Sequence, residues 1–163
     1  MAETTAKTPK KTTVKVAWKK LSPTAIIPKK AHETDAGFDL FSDEDLVIKA
    51  HQTALIKTGL AVQLTPPKGW NAYALVKDTS GNAYKKKVKV SGGVIDIDFL
   101  GNIGVILRNN NMFKKIVIKK GAKIAQLIPT LIPFTEEAAW EDRETERGDK
   151  GYGESTGTLW AKN

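Results

Sequence analysis

Short runs of alternating or β-branched apolar residues recur along the chain, and turn residues separate them. The pattern predicts ten strands, over residues 15–18, 38–42, 46–50, 53–64, 71–76, 87–90, 94–98, 103–109, 116–119 and 123–128. Breaker clusters such as Pro66-Pro67-Lys68-Gly69 lie between the runs. A short helix is predicted near residues 82–86, and a second candidate covers 136–142. This order of elements indicates an all-β sandwich or barrel rather than alternating α/β units.

Length and composition limit the chemistry that the chain can perform. Its 163 residues are enough for one domain with a core of its own. There is no cysteine, which excludes disulfides, thiolate metal sites and a thiol nucleophile. No apolar run approaches the roughly 20 residues that span a bilayer. We therefore expect a soluble, cytoplasmic protein that does not bind membranes, or one of the host cytoplasm or nucleus if it is viral.

The net charge of +8 is concentrated at the N-terminus. Residues 1–30 hold eight lysines and one acid, whereas the remaining 133 residues hold 18 basic and 17 acidic side chains. The Lys, Thr and Pro content predicts a solvated arm over residues 1–13. Nucleic acid is not an expected partner of the protein, because no aromatic residues interleave with the lysines of this arm as stacking platforms. The organisation expected is a basic tail (1–13), a β core (14–134) and a flexible C-terminal arm (135–163).

The C-terminal arm is acidic, poor in strand-forming residues and punctuated by glycines. Composition alone allows two interpretations, a disordered terminus or a lid that wraps a phosphate chain. Arg147, Tyr152, Ser155 and Thr156 among the glycines would suit such a lid, since backbone N–H groups and a guanidinium bind oxyanions well.

Two carboxylates, Asp96 and Asp98, stand in the otherwise apolar run 92–105. In a continuous strand both face one side, while Ile95, Ile97 and Phe99 face the core. The simple interpretation is a solvated strand face. Consecutive glycines just upstream, at 92 and 93, favour instead the close approach of a backbone or ligand, where an acid could act as a general base or hold a metal.

Five short motifs follow one another along the chain: Ala36-Gly37-Phe38-Asp39-Leu40, Ser80-Gly81, the segment from Gly93 to Gly101, the segment from Gly121 to Leu127, and Arg147-Gly148 with Gly151-Tyr152-Gly153 and Ser155-Thr156-Gly157. In this order they make the chain resemble the trimeric deoxyuridine triphosphatase family. The resemblance covers nearly everything from residue 36 to 157. It implies a β jelly-roll (β-clip-like) homotrimer with sites shared between subunits, which hydrolyses dUTP to dUMP and pyrophosphate with Mg²⁺.

The resemblance also assigns roles to residues of this sequence. Asp96 would deprotonate the water that attacks the α-phosphorus, and Asp39 would hold Mg²⁺ through water. Contacts to the phosphates would come from Ser80, Gly81, Gln126, Arg147, Ser155 and Thr156. The uracil would meet the backbone of Ser91, Gly93 and Val94. Asp98 would support the site, Phe99 would pack under the deoxyribose, and Tyr152 would stack on the base; plain packing is the alternative for both aromatic rings.

Several positions depart from the family's pattern. Asp78 and Thr79 stand where Pro-Arg usually precedes Ser80, Leu100 and Ala122 replace charged residues, and Glu154 is inserted in the fifth motif. An acid beside a triphosphate is repulsive unless a cation intervenes. These departures keep an alternative open, namely a weak or inactive dUTPase-fold protein that senses nucleotides or binds a partner.

Overall fold

Eleven strands and one short helix form the part of the chain that the computed structural model describes, residues 12–146 and 148. In chain order these elements are β1 Lys15–Lys20, β2 Phe38–Phe41, β3 Leu46–Ile48, β4 Thr53–Lys57, β5 Leu60–Thr65, β6 Asn71–Lys77, α1 Ser80–Lys86, β7 Val88–Val90, β8 Val94–Asp96, β9 Gly104–Asn109, β10 Ile116–Ile118 and β11 Lys123–Ile132. Within the described ranges no helix is long and apolar enough to cross a membrane.

The strands pair in antiparallel fashion between segments that are distant in sequence. A four-stranded sheet has the order β2-β11-β6-β8, a three-stranded sheet the order β4-β9-β7, and the pairs β1-β5 and β10-β3 complete the fold. Repeated crossing between sheets is the arrangement of a jelly roll. The inner faces meet in one core in which Leu40, Ile56, Val76, Val105 and Leu127 are fully buried.

Most of the strand predictions are confirmed, and one strand and one helix need correction. The run 53–64 is two strands, because the chain turns at Thr58-Gly59, where Gly59 has φ +68° and the buried Thr58 hydroxyl donates to the Ile103 carbonyl (2.8 Å). The helix near 82–86 is present as α1. The helix at 136–142 is wrong: that segment is exposed throughout, and a helix of that length without an apolar face to bury is unstable.

A single buried amide ties several loops together at one end of the fold. The Asn109 side chain is fully buried, and its Nδ2 donates to the carbonyls of Ile48 (3.0 Å) and Lys114 (2.8 Å). Its Oδ1 accepts from the backbone N–H (2.9 Å) and the Nδ2 (2.8 Å) of Asn111. Asn109 therefore holds the end of β3 and the loop before β10 to the end of β9.

Two carboxylates after β2 hold the turns around them. Asp43 accepts from the Thr24 hydroxyl (2.6 Å) and lies 3.6 Å from Lys120 Nζ, and Asp45 accepts from the backbone N–H of Lys120 (2.7 Å). Hydrogen bonds from Thr24 and then Ser22, with the Lys120 charge, lower the pKa of Asp43 below its ordinary value. The bond from the Lys120 N–H is the largest cause of the lowered pKa of Asp45.

Asn109→Ala should lower the free energy of unfolding by about 3 kcal/mol, because it leaves several buried carbonyl and N–H groups without partners. The neighbouring Asn110→Ala is the matched control, since that side chain is exposed and only its backbone N–H is used. Urea unfolding of both variants tests this. Equal stabilities would contradict the role given to the Asn109 amide.

Asp43→Asn should weaken the acid dependence of stability. Because folding lowers the pKa of Asp43 from its ordinary 3.8, the ionised carboxylate stabilises the fold above about pH 4, and this contribution is lost as the pH falls through the folded pKa. We expect a loss of about 1 kcal/mol at pH 7 and a shallower decline below pH 4. Unfolding measured from pH 2 to 7, with the exposed Glu33→Gln as control, checks the expectation, which an unchanged profile would refute.

Candidate active site

One row of polar residues runs across three neighbouring strands of the four-stranded sheet. Gln126 on β11 lies in register with Asp39 on β2 and with Lys77 on β6. Its Nε2 donates to the carbonyl of Asp78 (2.8 Å), which fixes the side-chain amide at the end of β6. The Gln126 side chain can take this position because residue 37 is a glycine: a Cβ on residue 37 would lie only 2.7 Å from Gln126 Oε1. The first and fourth motifs therefore meet in one chain.

Lys123 and Asn82 belong to the same region, although no sequence pattern predicted a role for them. Lys123 Nζ lies 3.0 Å from Asp39 Oδ2, so the Asp39 carboxylate is paired with a cation. Asn82 Nδ2 donates to the carbonyls of Lys123 (3.2 Å) and Ile124 (3.1 Å), which fastens α1 to β11. Lys123 lies within the fourth motif and Asn82 directly follows the second, and this position in the sequence is the only signal that pointed to them.

The two unusual residues before Ser80 have structural partners. The hydroxyl of Thr79 caps α1 by accepting from the Asn82 N–H (3.4 Å), and hydroxyl residues are favoured at this position. The Asp78 carboxylate accepts from the backbone N–H of Val90 and so joins the end of β6 to β7. Ser80 and Gly81 form the exposed first residues of α1 beside Gln126.

The Gly92-Gly93 turn brings the chain from β7 into β8 against β6. Gly93 has φ +106°, its carbonyl accepts from the Val76 N–H (2.7 Å), and a Cβ on it would lie 2.6 Å from the Val76 carbonyl oxygen. Ser91 donates its N–H to the Ile106 carbonyl (2.9 Å). The predicted close approach of a backbone is therefore present, and its partner is β6. Val94 follows, 62% exposed.

Asp96 is the last residue of β8, opposite Tyr73 of β6, and its side chain is exposed. The strand ends there in a turn, closed by the Phe99 N–H donating to the Asp96 carbonyl (3.1 Å). Ile95 and Ile97 pack against the core as predicted. The prediction that Phe99 also faces the core is wrong, since Phe99 is 45% exposed: the alternation of side chains stops with the strand, and Asp98 lies exposed in the turn.

The structure divides the candidate residues of one chain into two groups. Asp39, Ser80, Gly81 and Gln126 gather where β6 ends at Lys77. On the other edge of β6, Gly93 lies against Val76 near the same end, whereas Asp96 lies opposite Tyr73. Four residues of extended strand separate Tyr73 from Lys77, about 13 Å. Arg147, Tyr152, Ser155, Thr156 and the inserted Glu154 lie outside the described residues.

No group of three or more acidic or histidine side chains in the described ranges could hold a metal ion by itself. The donor set near Gln126 is one carboxylate, that of Asp39, about one quarter exposed, whose ion pair with Lys123 uses only Oδ2. Such a set fits an ion that keeps most of its water and takes further oxygens from a bound phosphate, as Mg²⁺ does.

Comparisons with known proteins agree on one family. A model described as dUTPase matches residues 23–156. The deoxyuridine 5'-triphosphate nucleotidohydrolase of Clostridium novyi is 41% identical over 148 residues, which cover 88% of this chain and 99% of that protein. The enzyme of the same name from Mus musculus is 42% identical over 140 residues, covering 85% of this chain and 82% of that protein.

Solved structures of phage dUTPases are similar as well. The Staphylococcus bacteriophage 80alpha dUTPase with dUPNHPP has a TM-score of 0.76 at 31% identity, covering 86% of this chain and 98% of that one. A mutant dUTPase from phage phi11 of S. aureus, described as coordinating a structural Mg(II) ion, has a TM-score of 0.66 at 27% identity, covering 81% of this chain and 99% of that one.

Alanine substitutions at Gly92 and Gly93 form a matched pair that tests the contact of β8 with β6. Both glycines have positive φ, so either alanine costs about 1–2 kcal/mol of backbone strain. Gly93→Ala must in addition push β8 away from the Val76 carbonyl, whereas the nearest atom to a Cβ at Gly92 is 3.8 Å away. We expect the melting temperature to fall clearly further for Gly93→Ala than for Gly92→Ala. Equal shifts would mean that β8 does not depend on this contact.

Proposed function

The chain belongs to the dUTPase family and hydrolyses dUTP, and we propose that Asp96 activates the water that attacks the nucleotide. The observation that carries this proposal is the position of the Asp96 carboxylate. It is exposed at the end of a strand whose neighbours Ile95 and Ile97 pack on the core and whose backbone pairs with β6. An ionised carboxylate on rigid, paired backbone is suited to positioning a water and accepting its proton.

The proposed reaction is attack of a water molecule on the α-phosphorus of dUTP. Asp96 accepts a proton from water while the water oxygen forms a bond to the α-phosphorus. The bond from that phosphorus to the oxygen bridging to the β-phosphorus breaks, and pyrophosphate leaves with the electron pair. The products are dUMP and pyrophosphate. We assign a supporting role beside Asp96 to Asp98, which is exposed in the turn after β8.

The phosphate chain would lie against the group that contains Gln126. The Gln126 amide is oriented by its bond to the Asp78 carbonyl, and the Ser80 hydroxyl and Gly81 N–H stand exposed beside it at the start of α1. Lys123, paired with Asp39, adds a positive charge to this region. We assign Arg147, Ser155 and Thr156 of the arm to the terminal phosphates on the basis of their motif.

The nucleoside would lie against the segment from Ser91 to Phe99. The turn at Gly92-Gly93 presents backbone groups that can pair with uracil, and the exposed Val94 stands next to them. The Phe99 ring packs on Gly101, where a Cβ would lie 2.8 Å from Phe99 Cζ, and keeps an exposed face for a deoxyribose. Tyr152 is assigned to the base by its motif.

We propose that the active protein is a homotrimer in which one chain's Asp96 group faces another chain's Gln126 group. The separation of Asp96 from Gln126 along β6 supports this, because one chain does not bring the two side chains together. Exposed apolar side chains also mark surfaces that assembly would bury. These are Leu55 (59% exposed), Val94 (62%), Leu100 (62%) and Ile106 (37%).

Mg²⁺ is the cofactor that the donor set fits. Asp39 would hold it through water, and the ion would neutralise phosphate charge when the nucleotide is bound. The chain's own residues orient the phosphates and move the proton. We propose the cytoplasm as the place of action, in keeping with a nucleotide substrate and a sequence without cysteine.

The alternative function, a nucleotide sensor or partner-binding protein without catalysis, rests on Asp78 and Thr79. In the fold the Asp78 carboxylate accepts from the Val90 N–H, and the Thr79 hydroxyl caps α1. Both side chains therefore have partners within the chain and need no triphosphate contact to explain them. The departure from Pro-Arg thus has a structural reason, and no observation on the described residues favours the alternative.

Asp96→Asn should reduce dUTP turnover by about 10²–10⁴-fold, because the amide cannot accept the proton of water. Pyrophosphate release from dUTP, dCTP, dTTP and UTP, with and without Mg²⁺, measures both rate and selectivity. Asp98→Asn is the control, since it removes a neighbouring carboxylate and should retain more activity. Undiminished hydrolysis by Asp96→Asn would refute its role, and tight dUTP binding without turnover by the wild type would favour the sensor.

A further inference from the structure

A basic surface with exposed aromatic residues lies at the end of α1 opposite Ser80. We call it the α1–β10 surface and define it by Lys49, Tyr84, Lys85, Phe113, Lys114 and Lys115. All six side chains are exposed. They come from three separate segments of the sequence, and none of them belongs to the dUTP site described above.

Hydrogen bonds hold these three segments together. Asn111 Nδ2 donates to the Lys86 carbonyl (2.9 Å), and the Asn110 N–H donates to the Lys87 carbonyl (2.9 Å), so the loop before β10 is fastened to the end of α1. Lys49 lines the same cleft as Phe113, Lys114 and Lys115. The pairing of Ile48 with Ile116 places the ends of β3 and β10 side by side. The surface is therefore a fixed arrangement.

The aromatic and apolar side chains of this region are unusually exposed. Tyr84 is 86% exposed, Phe113 87% and Met112 69%. Leaving large apolar groups in water forgoes stabilisation that burial would provide, and such groups close together mark interaction sites. The rings of Tyr84 and Phe113 are therefore available for contact with a partner.

Positive charge dominates the surroundings of the rings. The sequence has no Asp or Glu at 46–77, 79–95 or 99–135. Among the described residues, the lysines that form ion pairs are Lys119, Lys120 and Lys123. No carboxylate in that part of the chain pairs with the lysines of the α1–β10 surface. Lys85 lies in the last turn of α1, where a cation is favourable. That reason does not extend to Lys49, Lys114 and Lys115, which lie outside the helix.

We propose that the α1–β10 surface binds single-stranded nucleic acid, with its lysines on the phosphates and with Tyr84 and Phe113 as stacking platforms for the bases. Lysines together with exposed rings are the combination that sequence-tolerant single-strand binding requires. A duplex keeps its bases stacked and would leave both rings unused. The lysines of the N-terminal tail lack neighbouring aromatics in the sequence, whereas folding places rings beside the lysines of this surface.

The test uses the full-length protein and labelled 20-mers of thymidylate (DNA) and adenylate (RNA), which contain no uracil for the dUTP site. Fluorescence anisotropy at several salt concentrations between 50 and 200 mM gives affinity and salt dependence. The charge variant is K49Q/K85Q/K114Q/K115Q. Its matched control, K15Q/K19Q/K57Q/K68Q, removes the same charge from exposed lysines elsewhere. The ring variant is Y84A/F113A, and a variant lacking residues 1–12 tests the tail.

We expect the charge variant to bind at least tenfold more weakly than its matched control, with a salt slope reduced by about 3. The ring variant should lose about tenfold or more in affinity with an unchanged slope. Both differences should persist without residues 1–12, and all variants should hydrolyse dUTP normally. A DNA 20-mer of deoxyadenylate, compared with the RNA 20-mer of the same base, distinguishes DNA from RNA as the preferred strand.

Three outcomes would overturn the proposal. Equal binding by the charge variant and its control would show that only net charge matters. Unchanged affinity of the ring variant, or tighter binding of a 20-base-pair duplex, would exclude stacking. Equal binding of a labelled poly-glutamate peptide would indicate an acidic protein as the partner. Undiminished dUTP hydrolysis by Asp96→Asn would refute the proposed catalytic role and leave the binding measurements on this surface unaffected, so failures of the two proposals are distinguishable.

Discussion

The antiparallel pairing of β6 with β11 on one edge and β8 on the other is the interaction on which the rest of the structure depends. The ladder with β11 runs from Asn71 to Lys77, and its far end sets Gln126 beside the end of β6. The ladder with β8 continues through the bond from the Val76 N–H to the Gly93 carbonyl and fixes the start of the Asp96 segment. One central strand therefore positions both Gln126 and Asp96 and keeps these two side chains apart.

Backbone groups bind several of the acids in this fold. Asp78 accepts from the Val90 N–H, Asp45 from the Lys120 N–H, and Glu44 from the Lys57 N–H (2.8 Å). Each bond fixes a turn between strands that are distant in sequence, and a charged acceptor makes the bond stronger than a neutral one would. In contrast, Asp96 and Asp98 remain exposed at the end of β8. This difference distinguishes carboxylates that hold the fold from those available for chemistry.

The sequence predicted the strands well because alternating β-branched residues reflect a local property, the two-sided strand. It also predicted the α1 helix and the special backbone at Gly93, since consecutive glycines in a strand context mark a close approach of another backbone or a ligand. The sequence-based predictions failed where contacts between distant segments determine the structure. Phe99 does not face the core, because β8 ends at Asp96 and the alternation of side chains ends with it. The turn at Thr58-Gly59 that divides the predicted strand depends on the bond to Ile103, which is distant in sequence. The ion pair of Lys123 with Asp39 joins residues 84 positions apart, and no local pattern encodes it.

The Asn109 amide supports both proposed binding regions. By anchoring Asn111 it supports the contact to Lys86, and α1 continues from there to Ser80 beside Gln126. The same amide holds Lys114, which belongs to the α1–β10 surface. Local opening of this loop would disturb the two regions as one cooperative unit. A substitution that weakens this one buried side chain would therefore weaken the support of both regions together.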